Sequence, residues 1–355
     1  MDMTRTDPVP RRAGHWLGDR RGRPAHQGLG GPPRASTRYQ RIAVRRTRVI
    51  PAVPAPCRDR AARRLSRPAA LALGCLVLLG LVPSAATPAV ANDRAEAVAY
   101  LAGRQVDGGG FAEPGRAADP GLTAWVVLGL AAAGRDPSAM RAGGETPEDF
   151  LAGKPYPAAT DLELRILALD ALGRTPSLLA DQLESLRRSS GSIGPSVNST
   201  IWGVLALRSV GRPAGSNAVT YLLRQQRPDG GWPWFPGVAS DSNDTAAAIQ
   251  ALRAAGVGAR SRAIGRGLAY LRRLQNADGG FELEAGRGSD AQSTAWAIQA
   301  FLAAGRTPPK GAYAYLARLQ RPDGSYRYSA RYGATPVWVT AQVLPALARR
   351  PFPLP

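Results

Sequence analysis

The residues most suited to chemistry in this sequence form one short run, Asp-Ser-Asn-Asp-Thr-Ala, at positions 241–246. Asp241 and Asp244 are three residues apart, which places both carboxyls at the same end of a helix that begins there. Two such carboxyls can act in general acid–base catalysis where burial and the neighbouring charge raise the pKa of one of them. Asp241 and Asp244 are therefore the carboxyls to compare with known catalytic motifs.

Few other residue types are available for catalysis. Both histidines (His15 and His26) and both cysteines (Cys57 and Cys75) precede residue 93. The later part of the chain thus has no ligands for a His/Cys zinc site, no cysteine nucleophile and no histidine for a Ser-His-Asp triad. Acid–base work there falls to Asp, Glu, Tyr, Lys or Arg. We expect no metal site and no cofactor.

Aromatic residues recur at one place in the sequence pattern. Trp125, Trp202 and Trp296 each lie two residues after a Thr that begins a helical pattern, and Trp234 and Phe235 occupy a nearby Pro-bounded loop. A ring of such side chains around a cavity would bind a flat apolar ligand by stacking or a cation through its π faces. The alternative is that the tryptophans fill the space between neighbouring helices.

A repeat organises the chain after residue 93. Four copies have Tyr-Leu, three residues, Gln, and then a Gly-containing turn with an aromatic residue; their glutamines are Gln105, Gln226, Gln275 and Gln320. Each copy is followed by a helical pattern that starts near Thr and ends at Gly eleven residues later, as in Thr123 to Gly134. Weaker copies run from about Phe150 to Arg174 and from Leu183, and a half-copy runs from Thr340 to Leu347. The count is six two-helix units, with no strand pattern.

The Tyr-Leu-x3-Gln-x3-Gly-x-aromatic pattern resembles the QW repeat of the squalene/terpene cyclase and protein prenyltransferase superfamily. The resemblance covers residues 94–350 and implies a single-domain, secreted, bacterial-type member with an all-α fold, an α6/α6 toroid of six helical hairpins. Second helices should line the inside, and first helices should form the outside. The Gln and aromatic residues are expected to tie neighbouring repeats together. Such a fold does not by itself specify an activity.

The same resemblance sharpens the interpretation of residues 241–246. Class II terpene cyclases have Asp-x-Asp-Asp-Thr-Ala here, and their middle Asp protonates an alkene or epoxide. This sequence has Asn243 at that position, and an amide cannot deliver that proton. A competing explanation is helix capping, because Asp119, Ser196, Asp241 and Asp290 all lie four residues before the Thr of their repeat. The zinc site of protein prenyltransferases has no counterpart.

The first ninety residues differ from the rest. Of the net charge of +20, residues 1–67 contribute 17 Arg against four acids, so the remainder is only mildly basic. Residues 1–57 are rich in Arg, Pro and Gly and read as a disordered leader, or as upstream sequence translated from an early start codon. Residues 58–91 have a basic segment, a 14-residue apolar run and a small-x-small site before Asn92. They predict a signal peptide and an extracytoplasmic mature protein.

These observations leave three functional hypotheses. The first is an exported protein that binds a bulky, partly apolar molecule, corrinoid or terpenoid-like, in the central cavity of the toroid. Its candidate ligand-binding residues are Trp125, Trp202, Trp234, Phe235, Asn243, Asp290 and Trp296. It predicts no nucleic acid partner, no stable membrane span and a possible uptake-system partner. The second is a divergent class II terpene cyclase whose acid is Asp241, Asp244 or Asp290. The third is a non-catalytic scaffold, whose centre would be filled with side chains.

Overall fold

The computed structural model describes residues 89–354, with side chains from residue 94. The predicted leader and almost all of the predicted signal peptide lie outside the described residues. The described part contains twelve helices arranged as six hairpins. The first helices of the hairpins are α1 (Ala89–Ala102), α3 (Pro147–Ala152), α5 (Ser177–Ser185), α7 (Ser216–Gln225), α9 (Arg262–Arg273) and α11 (Ala312–Leu319). The second helices are α2 (Pro120–Ala132), α4 (Ala159–Ala171), α6 (Val197–Ser209), α8 (Ser242–Ala254), α10 (Ala291–Ala303) and α12 (Pro336–Leu347).

The six second helices form a closed inner ring. Each packs on the next in chain order, and α12 returns to pack on α2, while each first helix covers the ring from outside. The inner helices are buried on nearly all sides, as their almost continuous apolar sequences require, whereas the outer helices bury one face. The predicted α6/α6 toroid, with second helices inside, is confirmed.

Close packing of the ring depends on small residues. Gly129 in α2 faces α12 so closely that a Cβ there would lie 2.7 Å from the Ala341 carbonyl oxygen. Alanines at the corresponding position of other inner helices, such as Ala206 and Ala251, are fully buried. Short side chains allow neighbouring helix backbones to approach closely. At the α2–α12 contact, which closes the ring, Gly129 leaves no Cβ to clash with the backbone of α12.

The repeat motif links the end of each outer helix to the inner helix and the outer helix that follow it. The backbone N–H of the aromatic residue donates to the Thr hydroxyl that opens the inner helix, as from Trp232 to Thr245 and from Phe281 to Thr294, at 2.9 and 2.8 Å. The glutamine amide reaches the following outer helix or its approach: Gln226 Nε2 donates to the Ala263 carbonyl at 2.9 Å. The prediction that these residues tie repeats together is confirmed.

Two details of the sequence prediction were wrong. One short antiparallel pair of strands exists, β1 (Phe281–Glu282) with β2 (Ser289–Asp290), which at two residues each is too short to give an alternating pattern. The first helices of the two weak units also begin earlier than predicted. Pro147 follows the capping residue Thr146 in α3, and Pro176 precedes the first residue of α5.

The glycines predicted to end the inner helices do so. Gly134, Gly173, Gly211, Gly256 and Gly305 all have positive φ, the left-handed conformation that stops a helix at low cost. Among the described residues no helix is both long enough and apolar enough to cross a membrane.

Candidate functional site

The centre of the ring holds a cluster of aromatic side chains. Trp125, Trp202 and Trp296 come from α2, α6 and α10, and their ring centroids lie 5.4 to 5.9 Å apart with interplanar angles of 86 to 89°. They are 2, 4 and 3% exposed. Three mutually perpendicular edge-to-face contacts are a favourable arrangement for aromatic rings. The shared position of these tryptophans in the repeat predicted that they lie near one another, and in the structure they pack against one another.

The chain after α12 closes this cluster. Phe352 follows the last inner helix and its ring centroid lies 6.1, 6.2 and 5.9 Å from those of Trp125, Trp202 and Trp296. Its backbone N–H donates to Gln250 Oε1 of α8 at 2.8 Å. A side chain at nearly equal distance from three rings fills the space between them. The middle of the toroid is therefore occupied by the protein itself, which is the arrangement expected of the scaffold hypothesis and not of a ligand held in the central cavity.

The two candidate catalytic carboxyls are both buried at the start of α8. Asp241 is the N-cap, and its Oδ1 accepts from the Asp244 N–H at 2.8 Å. Asp244 Oδ1 accepts from Asn198 Nδ2 of α6 at 2.6 Å. Burial, and then the charge of Asp244, raise the pKa of Asp241 well above the usual aspartate range. The pair thus caps α8 and bonds it to α6, and the raised pKa leaves Asp241 able to hold a proton.

The other predicted residues near this rim also have structural partners. Asp290 is the N-cap of α10, where its carboxylate accepts from the Ser293 N–H and hydroxyl at 2.7 and 2.8 Å, and burial raises its pKa to about 6. Trp234 and Phe235 pack together with centroids 5.4 Å apart, in the loop before α8. Asn243 is half-buried at the mouth of the ring. Capping by Asp119, Ser196, Asp241 and Asp290 is confirmed, since each side chain accepts from its helix.

A cavity opens elsewhere on the same rim. It has a volume of about 360 Å³ and lies between the amino-terminal ends of α2 and α4, with Trp338 of α12 and the segment joining α3 to α4 as further walls. We call it the mouth cavity. Its lining is Asp119, Pro120, Gly121, Ala124, Leu151, Pro155, Tyr156, Ala158, Thr160, Asp161, Leu164, Arg165 and Trp338. The predicted ligand-binding residues do not line it.

The repeat explains why the cavity forms at this place. The position two residues before the repeat's Thr carries longer side chains in four inner helices, namely Asn198, Asn243, Gln292 and Trp338. In α2 and α4 it is occupied by Gly121, which has no side chain, and by Thr160, whose side chain is the shortest of the other five. Small side chains on two adjacent helices leave a gap between them. Comparing this position across the units would have indicated the cavity from sequence.

One buried cation faces the mouth cavity. Arg165, on the second turn of α4, is 7% exposed, and its Nη2 donates to the Lys154 carbonyl at 2.8 Å. Its guanidinium lies over the Tyr156 ring, 4.7 Å from the centroid. Burial lowers the pKa of Arg165, while nearby Tyr156 and Asp161 raise it. An arginine keeps its charge under such shifts, so the cavity contains a desolvated positive group.

The same helix carries a buried acid that sequence analysis did not identify. Glu163 in α4 is fully buried, and neither carboxyl oxygen has a hydrogen-bond partner within the described part of the chain. Burial, with a smaller contribution from the charge of Asp161, raises the pKa of Glu163 well above the usual glutamate range. The corresponding residues of the other inner helices are Ala124, Ile201, Ala246, Ala295 and Ala341. In the described residues no group of three or more His, Cys, Asp or Glu could hold a metal ion.

Comparisons with known proteins agree with this architecture. Residues 208–338 match the family model of the squalene-hopene cyclase C-terminal domain. No curated protein matches the sequence. A protein from Actinoplanes is similar in structure, with 20% identity, a TM-score of 0.56, and coverage of 73% of this chain and 99% of that one.

Two other solved structures share the fold. The type II terpene cyclase MstE from Scytonema has 18% identity and a TM-score of 0.54, over 74% of this chain and 98% of that one. A glycosidase has 15% identity and a TM-score of 0.53, over 74% of this chain and 96% of that one. A single-residue variant of MstE is known in complex with its substrate, geranylgeranyl dihydroxybenzoate. The chain therefore has the same α/α toroid fold as these proteins, and its residues 208–338 are similar to the squalene-hopene cyclase C-terminal domain.

Proposed function

We propose that this protein is an exported toroid that binds a small, partly apolar molecule in the mouth cavity and does not transform it. The observation that carries the proposal is the cavity itself, an open space of about 360 Å³ beside a ring whose centre is filled. Sites for small molecules are typically clefts of about 300 to 1,000 Å³ with apolar walls and a few polar groups. Leu151, Leu164 and Trp338 supply such walls.

The volume favours a terpenoid-like ligand over a corrinoid. The cavity is at the lower end of the range for small-molecule sites, and a corrinoid macrocycle with its side chains is much larger than this space. A short prenyl chain fits better. Geranylgeranyl dihydroxybenzoate, the substrate in the MstE complex, is a prenylated compound. Prenyl compounds are therefore the first ligands to test. The uptake-system partner stays a proposal that rests on export alone.

The chemistry of the rim supports binding without catalysis. Asn243 occupies the place that the resemblance assigns to the proton donor. Asp241 and Asp244 are engaged in capping α8 and in the bond to Asn198. Phe352 occupies the space beneath them, between the three tryptophans. A substrate would have to displace that side chain to reach the centre.

A second candidate function is a divergent cyclase with Asp241 as its acid. The observation in its favour is that burial and the charge of Asp244 raise the pKa of Asp241, as a general acid requires. Turnover of a polyprenyl compound by the purified protein, lost in Asp241→Asn, would establish it. Without turnover, the carboxyl pair is a cap and a helix-to-helix bond.

The proposal is tested by blocking the mouth cavity. Thr160→Trp places a large side chain at the half-buried wall residue of α4, and Asn243→Trp makes the same change at the matching position of α8, outside the cavity. Binding of geraniol is measured by native mass spectrometry and thermal shift. We expect the wild type and Asn243→Trp to bind and Thr160→Trp to fail. Equal binding by all three proteins would contradict the proposed site.

A further inference from the structure

We infer that the ligand of the mouth cavity carries an anionic head group, a carboxylate or phosphate, which binds Arg165 while an apolar body lies against Leu164 and Trp338. This rests on the proposed function and adds the chemical class of the ligand. Arg165 is 93% buried and lines the cavity.

The hydrogen bonds of Arg165 leave most of its donors unused. A guanidinium has five N–H donors, and among the described residues only Nη2 has a protein acceptor, the Lys154 carbonyl at 2.8 Å. No carboxylate of the described residues lies within ion-pair distance of Arg165. Other guanidinium N–H groups at a cavity wall are free to bind a planar or tetrahedral anion with two parallel bonds.

The acids that share the cavity wall are already occupied. Asp119 Oδ1 accepts from the Leu122 N–H at 2.8 Å, and Asp161 Oδ2 accepts from the Ala158 N–H at 3.1 Å. Both residues are exposed, and their carboxylates accept hydrogen bonds from backbone N–H groups at the amino-terminal ends of α2 and α4. Arg165 is the buried charge of this wall, and its attraction to the charge of the exposed Asp161 offsets only part of the cost of its burial. An anion in the cavity would offset that cost.

The repeat shows that the ring does not need this arginine. The corresponding residues of the other five inner helices are Val126, Gly203, Ala248, Ala297 and Val343. Packing of neighbouring helices is therefore achieved without a charge at this position. At this position a charge occurs in α4, one of the two inner helices whose amino-terminal ends form the mouth cavity. This associates Arg165 with the cavity rather than with the packing of the ring.

The cavity has two chemically different ends. Arg165 and the stacked Tyr156 lie together on the α4 side of the cavity, whereas Trp338 comes from α12, which packs on the other side of α2. Leu164 and Ala124 are buried residues of the lining. This arrangement suits an amphiphile with its charge at the α3–α4 segment and its chain toward α12. It does not favour a neutral hydrocarbon, which would leave Arg165 unpaired.

The test compares three ligands that share one apolar body: geraniol, geranic acid and geranyl monophosphate. Binding to the full-length protein is measured by isothermal titration calorimetry, with inorganic phosphate as a fourth probe. Because charge-assisted hydrogen bonds are worth roughly twice neutral ones, we expect at least one anionic ligand to bind about tenfold or more tightly than geraniol. The two anions distinguish a carboxylate from a phosphate head group.

Arg165→Gln should reduce this preference to about onefold, because it weakens binding of the anionic ligands far more than binding of geraniol. The matched control is Arg208→Gln, since Arg208 is also a partly buried inner-helix arginine that donates to backbone carbonyls, and it lies outside the cavity. That variant should keep the preference. Arg165→Lys keeps the charge and should retain part of it.

The outcomes separate the two proposals. If geraniol and both anions bind equally, and Arg165→Gln changes only the melting temperature, Arg165 merely holds the Lys154 segment and the inference fails while the mouth cavity stands as a site. If inorganic phosphate binds as tightly as geranyl monophosphate, the apolar body contributes nothing and the amphiphile is wrong. If none of the three geranyl compounds binds the wild type, the proposed function fails, and this inference fails with it.

Discussion

Glu163 offers the sharpest test of the energetics of this ring. Its carboxyl is fully buried in α4 and has neither a hydrogen-bond partner nor an ion-pair partner among residues 94–354, so the folded protein keeps it protonated at pH values where the unfolded chain has released the proton. Four of the five other inner helices have alanine at this position. Glu163→Gln removes the titration while keeping the shape of the side chain.

The sign and size of the effect follow from proton binding. Burial raises the pKa of Glu163 in the folded state above the value of about 4.3 that it has in the unfolded chain. Between these two values the folded state holds one more proton, so the free energy of unfolding falls as the pH rises. The loss is about 1.4 kcal/mol per pH unit for one group. Below the unfolded-state pKa both states hold the proton, so this loss of stability is absent.

The assay is urea unfolding followed by tryptophan fluorescence at half-unit steps from pH 4 to 6.5. The free energy of unfolding of the wild type should fall relative to Glu163→Gln, with a slope that approaches about 1.4 kcal/mol per pH unit between the unfolded-state and folded-state pKa values of Glu163. Asp290, whose pKa burial raises to about 6, contributes equally to both proteins and cancels in the difference. Glu145→Gln, at an exposed glutamate, should follow the wild-type curve. Parallel curves for the wild type and Glu163→Gln would refute the reasoning.

Three further changes test the ring. Phe352→Ala should lower the free energy of unfolding by about 3–5 kcal/mol by emptying the space between three tryptophans, against a small effect for the exposed Phe235→Ala, both measured by urea unfolding. Gly129→Ala should cost about 1–3 kcal/mol at the α2–α12 contact, whereas Gly153→Ala meets nothing within 4 Å and should leave the melting temperature nearly unchanged. Asp241→Ala should cost about 0.5–2 kcal/mol through the lost cap of α8, seen as a lower urea midpoint.

The sequence predicted the fold because the repeat expresses it in every unit. The Thr that opens an inner helix and the Gly that ends it recur at fixed spacing, and the structure uses both as expected, as at Thr245 and Gly256. Closure of the ring also followed from the pattern, since neither end had the polar surface of a capping unit. The weak units were misplaced at their first helices, where Pro147 and Pro176 set the boundaries instead of the repeat.

The mouth cavity was not predicted because it depends on what the repeat lacks. A cavity forms where side chains are small on two adjacent helices, here Gly121 and Thr160, and a motif search looks for residues that are present. Arg165 and Glu163 lie in the unit with the weakest repeat signal, whose Thr position is Leu162. Their burial depends on packing between distant segments, which the spacing along the chain does not reveal.

The most direct test of the central claim is a crystal structure of the full chain grown with geranic acid. The account predicts electron density for the ligand between α2 and α4, with its carboxylate on Arg165, its chain toward Trp338, and Phe352 still seated among the three tryptophans. Density in the centre of the ring with Phe352 displaced, and an empty mouth cavity, would contradict it.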